Sequence, residues 1–500
     1  MARGKVVVIG TGISGLTAAA LLAHKGREVV LVDKRSRPGG ALKRFWRQGV
    51  AFDVGFHYTG GLGQGEILRL LWGYCGILEH LSIHPFPPDS AEKVYFTDAP
   101  GHIDAPFSYE RIQEELKSRF PGEREGIGHF FDRIRQRAES IPFYSRQGLL
   151  APFFRSLAFP EKESLDDLIR SCTADPQLQT ILALPVFLHG VPAHEIGLTL
   201  HATVAHLVYS GMYWIAGGGQ AIVDGFLATL KNRVEMRTGV QVERIRISGN
   251  EVCGLGTSSG TIGATDIIFT GHPADLPGLV PDGILRRAYG NRLRDLRNTG
   301  SMFVIFGTLE NSHRYQHLTW NNLYRLGTGG NILDPGKSCR EKTIFLNSCG
   351  FRDIEYKEPM EKRAVMIMRP ASWEETARFD SGPGAPRAKG YRAWKEKTAA
   401  QMLAAAETIV PGIQDDFRIA ALGSPLTFRD ELDYPRGAIY GMRHCRDQFP
   451  VGAKTRLPGL WLSGQSTMMP GIIGASMAAL VTVGEMMGLE ELWAEIKACA

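Results

Sequence analysis

The amino-acid sequence predicts an α/β fold, a Rossmann-like parallel sheet carrying an inserted α+β domain. Three observations predict it. A strand, glycine turn, helix and second strand are packed into Lys5 to Arg35, a second glycine-rich strand-to-helix joint lies between Gly459 and Ala475, and the long stretch between them lacks βαβ alternation. Val6 to Ile9 is a continuous apolar run of β-branched residues, as a strand buried on both faces requires. Gly10, Gly12 and Gly15 follow as G-x-G-x-x-G, with Ile13 and Ser14 opening the helix. In that pattern the first glycine permits the tight turn, the second lets a pyrophosphate approach bare backbone, and the third lets helix pack on strand. The phosphates then lie at a helix N-terminus, where free N–H groups and the macrodipole favour anions. Leu16 to His24 is a good helix former, Gly26 ends it, and Val29 to Val32 supply the next strand. Asp33, followed by Lys34, closes that strand at the spacing where a carboxylate accepts hydrogen bonds from an adenosine ribose. A lone glycine fingerprint is weak evidence; this context makes the unit dinucleotide-binding.

The bounds are consistent with an enzyme of ordinary composition. The chain of 500 residues exceeds one typical domain, so two are expected, and 44% hydrophobic with 22% charged residues is globular. Lys and Arg number 57 against 52 Asp and Glu, a net +5 without a long basic run, so no nucleic-acid partner is expected. The 7 cysteines, Cys75, Cys172, Cys253, Cys339, Cys349, Cys445 and Cys499, are scattered and contain no C-x-x-C. That argues for a reducing compartment and against a disulfide scaffold or a zinc site, and no metal is expected. The first strand begins within a few residues of Met1, which leaves no room for a cleaved signal, and no uncharged apolar segment reaches the roughly 18 residues of a membrane span. The expected location is the cytoplasm, with peripheral contact on the inner membrane face as an extension of it.

After the opening unit, Pro38-Gly39-Gly40 forms a loop whose backbone passes beside a dinucleotide. Lys43 and Arg44 either offer charge to the phosphates or are solvated surface. Phe52-Asp53-Val54-Gly55 then reads F-D-x-G, and His57-Tyr58-Thr59-Gly60 reads H-Y-x-G. With these motifs the chain resembles the FAD-dependent family of phytoene desaturases, carotenoid isomerase and retinol saturase, whose fold also serves amine oxidases; H-Y-x-G is nearest the retinol saturase branch. Ala41 stands where many relatives carry Arg, and Asp33 where many carry Glu. His57 reads equally as a hydrogen-bonded core histidine and as a wall of the flavin or substrate cavity.

The resemblance implies a discontinuous FAD domain over residues 1–75, 211–275 and 425–500, of the glutathione-reductase or amine-oxidase type, and a substrate domain over 76–210 and 276–424. Between Arg146 and Arg155, the residues Leu149, Leu150, Phe153, Phe154 and Leu157 of the segment Gly148 to Phe159 share one helical stripe. It is either a helix packed on the chain's own core or a lid touching the membrane surface. His201 and His206 are five apart, where a metal pair on a helix would want three or four. Tyr209, Tyr213 and Trp214 are aromatic walls for a polyene or ordinary core. Gly217 to Gly219 begin a helix to Leu230. Val240 to Val242, Arg244 to Ile247, Val252 to Leu255 and Asp266 to Phe269 read as a meander, and the resemblance puts the adenine against the backbone near Val242. Residues near 380 to 390 read as an exposed loop.

The last segment closes the fold. Leu460 to Leu462 is a strand ending in Gly464-Gln465, and Pro470-Gly471-Ile472-Ile473-Gly474-Ala475 opens a final helix whose N-terminus, as the resemblance implies, can point at the pyrimidine side of a flavin. Ser466 replaces the usual acid of the family. No Ser-His-Asp order, carboxylate pair or metal cluster offers a competing chemistry. The resemblance therefore implies a flavoenzyme saturating or isomerising carbon–carbon double bonds of a small lipophilic isoprenoid or polyene, with His57, Tyr58 and Tyr213 as cavity candidates. Gly254-Leu255-Gly256 lacks a third glycine and a following helix, so no second nucleotide fingerprint is present and the electron donor or acceptor is expected to be separate. The alternatives are desaturation, amine oxidation and a non-catalytic lipid-escort role on the same fold.

Overall fold

Val6–Ile9 is apolar on both faces because it sits in the middle of a five-stranded, all-parallel sheet with strand order Leu460–Leu462, Asp266–Phe269, Val6–Ile9, Val29–Asp33 and Glu235–Thr238. The computed structural model describes residues 4–157, 161–328, 332–333, 342–348, 350, 352 and 362–499. The register puts Ile9 beside Val32 and Phe269, and Phe269 beside Leu462. Gly10, Asp33, Thr270 and Ser463 therefore leave the sheet along one edge, the carboxyl edge where doubly wound sheets bind ligands. Helices Ile13–His24 and Gly471–Met487 pack side by side on one face, with Leu16, Leu21, Met477 and Leu480 in a shared core.

The meander is smaller than its sequence reading. It comprises Val242–Ser248, Glu251–Thr257 and Gly260–Gly263, antiparallel throughout. Asp266–Phe269 does not extend it but joins the parallel sheet beside Val6–Ile9. The physical reason is burial: Ile267 and Ile268 are fully enclosed, an environment a half-solvated meander does not provide.

A second sheet of seven strands runs in the order Phe417–Gly423, Ser301–Leu309, Arg363–Ala371, Ile344–Asn347, Asn322–Leu326, Ala91–Phe96 and His102–Pro106. It is antiparallel except where Asn322–Leu326 lies parallel to Ala91–Phe96. Strand alternation gives it two apolar faces. Phe303, Ile305, Val365 and Ile367 pack against helix Tyr391–Glu407, while Val304, Phe306, Met366 and Met368 face the hairpin of Arg44–Arg47 and Val50–Asp53. That hairpin is tied to helix Gly218–Leu230: Asp53 pairs bidentately with Arg44 and accepts from the Gly219 N–H at 3.0 Å. Helices Tyr109–Arg119, Arg124–Glu139 and Leu198–Tyr209 cover the outer end of the second sheet.

The short stripe is also corrected. Its helix spans Leu150–Ser156; Leu150 is fully buried, Phe153 packs on Phe143, and Leu149 points outward at 58% exposure. Glu490 of the last helix caps it, accepting from the N–H groups of Leu150 and Ala151. Ala158 and Phe159 lie outside the described residues, as do Cys339 and Cys349; the other five cysteines are free thiols. The segment 380–390 is largely exposed and is held by Arg429 to Asp380 and Arg387 to Asp430.

Candidate functional site

Both glycine-rich joints open into one cavity of about 320 Å³. Its walls include Gly12, Ile13 and Ser14 of the first helix, Gly39 and Gly40 of the loop, and Gly464, Gln465, Gly471, Ile472, Ile473 and Ala475 of the last joint. The joints are coupled directly: the hydroxyls of Ser14 and Ser463 are 2.8 Å apart and buried. Neither helix N-terminus carries a side-chain cap or an acid in its first turn, and the first residues of both line the cavity, which leaves their amide groups and dipoles for a ligand there.

Glycine geometry shows what the cavity can hold. A β-carbon at Gly15 would lie 1.9 Å from the Gly10 carbonyl oxygen, so glycine there is demanded by helix packing. At Gly12 and at Gly471 a β-carbon would meet nothing within 4 Å, although both residues line the cavity. No protein atom requires a bare backbone at Gly12, which suits a pyrophosphate lying against it. At Gly40 the β-carbon would come within 3.2 Å of the Gly12 Cα, which shows how closely the Pro38-Gly39-Gly40 loop covers the turn. These features fit an extended dinucleotide reaching from one joint to the other.

Other predicted contacts lie off the cavity wall. One oxygen of Asp33 accepts from the Thr11 N–H and hydroxyl, at 2.8 and 2.6 Å, and the other from the Arg35 N–H at 2.8 Å. Asp33 thus buttresses the glycine turn, and Gly10 makes that turn at φ 106°. Lys34 is exposed and paired with Asp433 at 2.8 Å. Lys43 lies beyond the Gly39 loop, and Arg44 is committed to Asp53 instead of a phosphate, because an unpaired buried Asp53 would be costly. Val242 is buried at the start of the meander, two residues past Val240, whose N–H donates to the Asp33 carbonyl.

The far half of the cavity is built by the second sheet and three loops. His57 and Tyr58 line it, opposite Met302 and the row Tyr324, Phe345 and Met368, which are neighbours across three strands. Tyr434, Tyr440, Phe428, Val204 and Leu207 complete the apolar wall. His57 Nδ1 is buried without a partner, and burial pushes its pKa down to about 4, so the ring is neutral near pH 7. Tyr58 and Tyr324 each donate to Glu92 Oε1 at 3.2 Å. Ser466, also on the wall, accepts from the Met442 N–H at 3.3 Å and so anchors the adjoining loop.

Tyr213 is not on this wall: its strand Tyr213–Ile215 pairs with Ile83–Pro85, and its hydroxyl lies toward Gly63. Trp214 stacks on His84, and Tyr209 packs on Phe131 and Tyr109. The helix Leu198–Tyr209 turns Val204, Leu207 and Val208 to the cavity instead, so ordinary packing explains Tyr209 and Trp214. His201 bonds to His189 at 3.1 Å and His206 to Tyr109 at 2.9 Å, which separates the two histidines. The sequence reading missed Thr270, Gly271, His272, Tyr324, Phe345, Tyr434 and Tyr440 as wall residues. The first three were findable, since a strand assigned to the parallel sheet must end at the binding edge.

The family model described as an NAD(P)-binding Rossmann-like domain matches residues 8–74, the opening unit with the glycine loop. The all-trans-retinol 13,14-reductase of Macaca fascicularis is 24% identical over 532 residues, covering 95% of this chain and 84% of the reductase. The neurosporene-forming phytoene desaturase of Rhodobacter capsulatus is 24% identical over 523 residues, covering 97% of this chain and 93% of the desaturase. The chain is a relative of these enzymes over nearly its whole length. Among solved structures, an oxidoreductase from Methanosarcina mazei superposes with TM-score 0.66 at 16% identity, covering 96% of this chain and all of that one (100%). Cyclohexylamine oxidase from Brevibacterium oxydans superposes with TM-score 0.61 at 14% identity, covering 97% and 99%. These two establish the fold.

Proposed function

We propose that the protein is an FAD-dependent oxidoreductase that saturates or isomerises carbon–carbon double bonds of a lipophilic isoprenoid or polyene. The observation that carries this reading is the single cavity joining two uncapped helix N-termini to an apolar, aromatic wall. Its relatives named as a retinol reductase and a phytoene desaturase act on such molecules. The Gly10 to Gly15 turn, Asp33 and the Gly39-Gly40 loop would hold the adenosine and pyrophosphate of FAD, and Gly464, Gln465 and Gly471 to Ala475 its flavin end. When bound, the flavin supplies hydride exchange. The residues 1–75, 211–275 and 425–500 would then act as the FAD domain, and 76–210 with 276–424 as the substrate domain.

The chain's own groups do the rest. Met302, Phe345, Met368 and Phe428 exclude water and grip an apolar substrate, and neutral His57 offers an unpartnered ring nitrogen at its side. Leu149, exposed beside the half-buried Phe153 and Phe154, would make shallow contact with a membrane that delivers the substrate. No helix among the described residues is long and apolar enough to cross a membrane. The test is direct. The purified protein should show a flavin spectrum and, once reduced without oxygen, be reoxidised by retinol or a carotenoid with a changed product; a protein that takes up FAD but responds to none of them sinks the polyene reading.

A further inference from the structure

Behind the cavity wall lies a group that the proposed function leaves unused. Glu92 is 6% exposed, and its Oε1 accepts hydrogen bonds from two tyrosines, Tyr58 and Tyr324, whose rings form the wall itself. Glu92 stands on Ala91–Phe96, where the sheet pairs it with Asn322 and Ala105, so the backbone fixes the carboxyl under both phenols. Among the described residues, the charged and titratable groups facing the cluster include Arg352, which lies over the Phe86 ring at 4.8 Å and acts on Tyr58 and on the neighbouring His57, together with Tyr440 beside Tyr58 and Tyr209 on the helix side. Phe86 and Phe107 enclose the Tyr58 ring.

We propose that this cluster is the proton source of the site: Tyr58 gives its hydroxyl proton to a substrate carbon, and Glu92 restores it. The assignment rests on the proposed function. Adding two hydrogens across a double bond needs a hydride at one carbon and a proton at the other. The hydride, with its electron pair, belongs to the reduced dinucleotide. For the proton, the Tyr58 O–H bond breaks as the new C–H bond forms with the electron pair of the double bond. The phenolate then takes the proton of the Glu92 carboxyl, and water reprotonates the carboxylate. Tyr324 holds Glu92 in place through the second hydrogen bond. A carboxyl that titrates near the working pH suits a reservoir, and burial raises Glu92 to about 7 against the lowering effect of its two tyrosine bonds. Tyr58 is the residue that touches substrate; Glu92 acts through it as a positioning residue.

A purely structural Glu92 would only cap two hydroxyls, and Gln would do that as well. Infrared titration of the FAD-free protein separates the two roles. The C=O band of a protonated carboxyl should appear below pH 7, fade above it, and be missing in Glu92→Gln. A spectrum without such a band, or with the same band in the variant, overturns the assignment even if no polyene is turned over. With a polyene that is turned over, Tyr58→Phe should lower kcat at least about tenfold at unchanged KM, as loss of a general acid does. Glu92→Gln should flatten the alkaline fall of kcat. Wild-type kcat in Tyr58→Phe overturns the proposal, whereas a titrating band with no polyene turnover counts against the substrate reading alone.

Discussion

A β-carbon at Gly12 would touch nothing, while one at Gly15 would strike the Gly10 carbonyl, so two glycines of one motif answer to different masters. We predict that Gly12→Ala melts within about 1 kcal/mol of wild type, the scale of a changed helix cap, yet fails to retain FAD. Gly15→Ala should lose several degrees in Tm even without FAD, and equal losses in both would refute the division. The open space at Gly12 fits what the motif encodes, a backbone left bare for a ligand. The meeting of Tyr324 with Glu92 was not legible, because it arises from cross-strand register between segments more than two hundred residues apart. Asp33 was found by spacing, but its bonds to Thr11 came only with the coordinates, since a carboxylate at a strand end serves turn and ribose alike.

Among elements, the hairpin of Arg44–Arg47 and Val50–Asp53 deserves a numerical expectation. It touches both the second sheet and helix Gly218–Leu230, and its Arg44–Asp53 pair is nearly enclosed, with side chains 8% and 3% exposed. Breaking such a pair leaves a buried charge without its partner, which typically costs about 3–5 kcal/mol. Asp53→Ala should lower the urea midpoint accordingly; a loss below about 1 kcal/mol would mean that solvent reaches Arg44. Elements were read well where apolar periodicity was strong, as at Val6–Ile9 and Gly218–Leu230. Asp266–Phe269 was assigned to the wrong sheet because a short apolar run after a meander carries no local sign of its partner. The seven-stranded sheet was illegible as a whole: its pairings follow from tertiary packing of Ala91–Phe96 against strands far along the chain.

At the scale of the molecule, burial leaves several histidines neutral. His57, His206, His272 and His444 are lowered to about 4 and His201 to about 3, in each case chiefly by desolvation. A base whose pKa is depressed on folding binds fewer protons folded than unfolded, so its stabilisation is complete above 6.5 and is lost as the pH falls toward 4. Glu92 works the other way: raised from 4.5 to about 7, it favours the folded state below 4.5, and that benefit fades as the pH rises through 7. Five histidines outweigh one carboxyl, so Tm should fall steadily between pH 6.5 and 4.5, and Glu92→Gln should steepen that fall. A flat profile would show that the histidines are wetter than the packing implies. The parallel sheet carries a consequence of another kind. Its middle strand is Val6–Ile9 and one of its two edge strands is Leu460–Leu462, with the helix at Gly471 completing the cavity. On the ribosome, therefore, the glycine turn emerges early but must wait for almost the entire polypeptide before its binding edge is whole, and chaperone protection during synthesis would matter more for this chain than for one whose nucleotide unit is continuous.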